Sequence, residues 1–256
     1  MGFVVPAPRA ADSRLAALVL VVQALVTLVA LGLTDAQLET LVVVEPPRLA
    51  VDGSTSLVAG LVFTAEAVRG ILAAVLVTSV LQTFLVARSR RSTLAAATAS
   101  TVHWIAVSQS LGITIVIVML LNGGGVAATI VLAYALAASG GLLGWLQDRT
   151  PRASTGRGHL WPYAILTVLV IVPWGAVALV QITGLAVGAP ASDGVRVMTL
   201  VVLAVTAAWA TAEWAIARPA GVARAPESAA RLRVFSSTVL ASVPAGAVLV
   251  LAMLGG

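Results

Sequence analysis

Residues 160–182 read LWPYAILTVLVIVPWGAVALVQI, without one charged side chain. A helix of roughly 20 mostly apolar residues spans the hydrocarbon core of a bilayer. The same signature recurs on both sides of this stretch. Seven apolar segments, Leu15–Leu33, Leu57–Ala87, Ala95–Leu121, Val126–Leu146, Leu160–Ile182, Val195–Ala217 and Val234–Leu254, qualify as spans. The first is longer than the roughly 7–15 apolar residues of a secretory leader and is read as a retained helix. The expected fold is an all-α, seven-transmembrane helix bundle forming one domain over residues 1–256.

Composition supports the same class. Hydrophobic residues make up 60% of the chain and charged residues 10%, with a mean hydropathy of +1.06. Soluble domains carry about 25% charge, so a water-soluble fold of this length would lack the charge to cover its surface. There is no cysteine, hence no disulfide or thiolate metal site, and there is no lysine: all 15 basic residues are arginines. These arginines lie in short loops rather than in one patch, which argues against a nucleic-acid partner and for the lipid bilayer.

Twelve arginines fall at the N-terminus and in alternate connections: Arg9, Arg14, Arg88, Arg90, Arg91, Arg149, Arg152, Arg157, Arg218, Arg224, Arg231 and Arg233. Only Arg48 and Arg196 fall on the opposite side, and Arg69 lies within the second span. The positive-inside rule then predicts an integral cell-membrane protein with a cytoplasmic N-terminus and an extracellular C-terminus.

Most connections are short, which makes consecutive helices antiparallel neighbours. The exception is Thr34–Ser56, where Leu41–Glu45 and Arg48–Val51 flank Pro46-Pro47. That pattern predicts a small β-hairpin in the first extracellular loop. Gly123-Gly124-Gly125 lacks the Lys-Ser/Thr of a phosphate loop and is read as a tight turn.

Several motifs resemble the heliorhodopsin family, whose seven helices also start in the cytoplasm. Gly144-Trp145-Leu146-Gln147-Asp148 resembles that family's Gly-Trp-Leu-Gln-Glu, and Ile171-Val172-Pro173-Trp174 its Ile-Val-Pro-Trp. His103-Trp104-Ile105-Ala106-Val107-Ser108 is similar to Arg-Trp-Val-Glu-Tyr-Ser, and Glu66 with Gly70 to a second-helix Glu-x-x-x-Gly. The resemblance covers nearly the whole chain. It implies a retinal protein, yet this chain departs where retinal is held. Ser237-Thr238-Val239-Leu240-Ala241-Ser242 aligns with Ser-Leu-Val-Ala-Lys-Ser, so Ala241 stands at the lysine position, and Ala106 stands at that of the counterion glutamate. The two losses are physically coupled, because a buried charge left without its partner is costly. The family's histidines on the first two helices are absent as well.

By this alignment Trp104, Ser108, Trp174, Trp209, Ser237 and Ser242 would line the vestigial pocket. Aromatic packing alone explains the three tryptophans about as well. Trp145, Trp161 and Trp214 sit near span ends and read as interfacial anchors. Glu66 and Arg69 share a face of the second span at depths of roughly 13 and 18 Å, where charges must pair or serve a ligand or ion. His103 is read as an interhelical hydrogen-bonding residue, with a proton relay or pH sensor as the functional alternative. Glu213 would snorkel or pair with a loop arginine, and His159 would be solvated. Gly140 and Gly144 form a Gly-x-x-x-Gly that permits close helix approach or a homodimer.

No nucleophile–base pattern or metal-ligand spacing appears, so no enzyme and no metal are expected. The reading that follows is a heliorhodopsin-like protein with no covalent cofactor, regulatory or scaffolding through an unknown protein partner. Two alternatives stand beside it: a receptor for a non-covalent retinoid, carotenoid or other apolar lipid, and a transporter using Glu66 and Arg69.

Overall fold

The computed structural model describes residues 93–149, 160–217 and 226–254, short strands between residues 40 and 63, and scattered helical positions between 14 and 29. Five long helices dominate: α1 (Thr93–Leu121), α2 (Ala127–Arg149), α3 (Trp161–Ala186), α4 (Asp193–Ala217) and α5 (Pro226–Leu254). Within these residues four helices, Ser100–Leu121, Ala127–Arg149, Trp161–Ala186 and Asp193–Ala217, are long and apolar enough to cross a membrane. They fit an integral membrane protein. α5 contains the expected seventh span, and the apolar helix Arg14–Gln23 lies in the first. Most of the second span, with Glu66 and Arg69, lies outside the described residues.

Local chemistry sets the helix ends. α1 stops at Asn122-Gly123, where Gly123 takes φ +83 and the Gly124 amide returns to the Met119 carbonyl at 2.8 Å. This is a left-handed helix terminus that glycine adopts without a Cβ clash. A proline opens both α3 and α5, where its missing amide costs no helical bond. Ser192 caps α4 by accepting from the Val195 amide, and Asp193 complements the positive end of the helix dipole.

Two short antiparallel strand pairs lie in and beyond the loop where a hairpin around Pro46-Pro47 is expected. β1 (Thr40–Val42) pairs antiparallel with β4 (Leu61–Phe63), and β2 (Arg48–Leu49) with β3 (Thr55–Ser56). Leu41–Val42 and Arg48–Leu49 therefore pair with later strands and not with each other across Pro46-Pro47. Proline holds φ near −65°, whereas the tight hairpin turns need positive φ. β4 also occupies residues that hydropathy assigns to the second span.

α1 is the hub, packing on α2, α3 and α5, while α2 packs on α3 and α4 on α5. Its apolar window is 67% buried, against 22–33% for the other three spans. α2 presents an inner face of small residues, Ala133, Ala137, Ala138, Gly140, Gly141 and Gly144. Its large side chains Val131, Leu132 and Leu142 point outward, as do Val168, Ile171 and Leu179 of α3. Large residues outside and small ones between helices is the arrangement a lipid solvent favours, since helix association there rests on close packing and hydrogen bonds.

Candidate functional site

One end of the bundle carries a buried ionic cluster. Arg233, on the first turns of α5, makes a fork with Asp148 of α2: Nη1 donates to Oδ2 at 2.8 Å and Nη2 to Oδ1 at 3.1 Å. The same guanidinium reaches Glu213 of α4, with Nε donating to Oε2 at 3.2 Å and Nη2 lying 3.1 Å from it. Trp104 of α1 donates its indole Nε1 to Asp148 Oδ2 at 2.8 Å, and the guanidinium carbon sits 5.4 Å from the Trp104 ring centre. Tyr163 of α3 faces Glu213. All five long helices thus contribute a side chain. Charge-assisted, bidentate bonds of this kind are the strong class of hydrogen bond, and Glu213, at 0% exposure, is fully out of solvent.

His103 lies at the edge of this cluster, its ring 5.2 Å from that of Trp104 in a T-shaped contact. Trp145 donates to Thr101 at 3.1 Å, and Arg149 covers its ring at 4.3 Å. At the opposite end of the bundle a neutral network forms. Asn122 donates to Thr199 Oγ1 at 2.9 Å and to the Val118 carbonyl at 2.8 Å, and accepts from Gln181 Nε2 at 2.8 Å.

Between these two ends the described helices enclose a cavity of about 10 Å³ lined by Leu111, Thr114, Ile115, Ala137, Val170, Trp174 and Thr206. That is close to the room one water needs. Of the six side chains the alignment assigns to a pocket, Trp174 alone borders this cavity. Trp104 belongs to the ionic cluster. Ser108 donates to the Ala138 carbonyl at 2.7 Å and so ties α1 to α2. Ser242 donates to Thr238 O at 2.8 Å within its own helix, and its carbonyl accepts from Gln23 at 2.8 Å. Trp209 and Ser237 are buried, and neither Trp209 Nε1 nor Ser237 Oγ has a hydrogen-bond partner among the described residues. Ala106 is buried in α1 and Ala241 half-buried in α5. Gly140 and Gly144 both face inward: a Cβ on the first would meet Val170 at 2.6 Å and on the second Trp104 at 2.1 Å. This pair serves the bundle and not a dimer surface.

The sequence reading missed the convergence of Asp148 and Arg233. The signal was present: an acid and a base, each beside an apolar run, must find partners if the helices bury them. The Asn122–Thr199–Gln181 network gave no such signal, since neutral polar residues at span ends are ordinarily solvated.

No protein-family model and no curated protein matches this chain.

Proposed function

We propose that this is a heliorhodopsin-like seven-helix membrane protein that cannot hold retinal covalently and that acts as a regulator or scaffold through protein partners. Its N-terminus is cytoplasmic on this reading, which puts the Arg233 cluster at the cytoplasmic face. The observation that carries the proposal is the pairing of a lysine-free chain with a cavity of about 10 Å³ beside Trp174 among the described helices. Pockets for small molecules usually measure about 300–1,000 Å³. The void beside Trp174 holds about one water, which supports a scaffold over a receptor that takes a retinoid at that point. The transporter reading rests on Glu66 and Arg69, and no cavity or polar path among the described residues adds to it.

Purified protein mixed with retinal tests the proposal. It should show no red-shifted absorption, no borohydride-trapped adduct, and no quenching of tryptophan fluorescence at Trp174. Saturable quenching without an adduct would favour the receptor reading instead.

A further inference from the structure

The ionic cluster has more negative charge and more acceptors than its partners can serve. Asp148 and Glu213 share a single guanidinium, and the side chains of Arg233, Asp148 and Glu213 are only 13%, 16% and 0% exposed. With both acids ionised the site would carry one uncompensated negative charge away from water, which is expensive. The carboxylates are also treated unequally. Asp148 receives three donors: Arg233 Nη1, Arg233 Nη2 and Trp104 Nε1. Glu213 takes Arg233 through Oε2 by longer contacts and has Tyr163 as a further partner, and its Oε1 accepts no hydrogen bond among the described residues. Gln147, one residue from Asp148, likewise buries an Oε1 without a donor among the described residues.

Two further titratable groups face the cluster: His103 of α1, near both Asp148 and Arg233, and Tyr163 of α3, a hydrogen-bond partner of Glu213.

We propose that Glu213 binds a proton on Oε1, making the Asp148–Arg233–Glu213 cluster an electroneutral proton-binding site that joins α2, α4 and α5. The proton adds both the missing positive charge and the missing donor. Its loss would set a second carboxylate against Asp148 on the same guanidinium, so that α2 and α4 repel each other and compete for α5. This inference depends only on the burial of the cluster and is independent of the loss of retinal.

Infrared spectra of the protein in lipid at neutral pH test it. A carboxylic-acid C=O band that moves on exchange into deuterium oxide is expected. It should shift when glutamate carries ¹³C at the side-chain carboxyl, should not shift with aspartate so labelled, and should be lost in Glu213→Gln. Because glutamine mimics the protonated acid, Glu213→Gln should melt at the wild-type temperature, whereas Asp148→Asn should melt lower. No such band in the wild type, or a band that shifts only with labelled aspartate, overturns the proposal. So does a Glu213→Gln melting temperature lowered as far as that of Asp148→Asn. A wild type without the band whose melting temperature rises with sodium but not with choline overturns it in favour of a bound cation.

Discussion

The six-membered ring of Trp104 lies directly against Gly144, so that a Cβ built on that glycine would sit 2.1 Å from the indole Cζ3. This contact lets α1 and α2 approach closely and aims the indole Nε1 at Asp148, 2.8 Å away. The same interface repeats the device at Gly141, where a Cβ would lie 2.6 Å from the Ser108 Cα.

Gly144→Ala should therefore be destabilising, by about 1–3 kcal/mol or somewhat more, because overpacking shifts a ring that also carries a buried hydrogen bond. Gly175→Ala is the control. No atom lies within 4 Å of a Cβ there, and alanine in a helix gains about 0.5–1 kcal/mol over glycine. Thermal melts in detergent should separate the two variants in opposite directions; equal melting temperatures would mean that the glycine does not set the helix approach.

Arg233→Met should cost about 3–5 kcal/mol, since it leaves the Asp148 carboxylate buried without its cation and Glu213 without a donor. The same melts check this. A variant as stable as the wild type would show that the cluster opens to water.

Much of the helical layout was legible in the residues. Hydropathy put the third span at Ala95–Leu121 and the fifth at Leu160–Ile182, and the helices run Thr93–Leu121 and Trp161–Ala186. These limits are set by local properties, apolar length together with proline and glycine at the ends. α2 and α5 extend further than hydropathy implied, to Arg149 and back to Pro226, because their charged turns are stabilised by partners on other helices. The candidate site was less legible for the same reason. Trp104, Asp148, Glu213 and Arg233 lie on four helices, and only helix packing decides that they meet. Trp104 was assigned to a pocket on its position in a motif, yet its polar edge is committed to Asp148 and its ring to Gly144.

At the other end of the bundle, Asn122→Ala should destabilise the protein by about 1–2 kcal/mol, because the substitution removes the shared partner of Gln181 and Thr199. An unchanged melting temperature would indicate that water replaces the asparagine.

Reporter fusions at the two termini should place the N-terminus in the cytoplasm and the C-terminus outside, as the twelve-to-two arginine asymmetry implies. A cytoplasmic reporter that is active on the C-terminus would sink the inverted arrangement and, with it, the resemblance to heliorhodopsins.

The most direct test of the proposed heliorhodopsin-like reading is the absorption spectrum of the Ala106→Glu, Ala241→Lys double variant after addition of retinal. The substitutions place an amine and a carboxylate at the two positions that the resemblance aligns with the heliorhodopsin lysine and counterion. The described helices leave a cavity of about 10 Å³ beside Trp174, so on the proposed reading the folded double variant should stay colourless, with no borohydride-trapped adduct. A visible band from a protonated Schiff base would mean that the pocket survives, and that only its chemistry was lost.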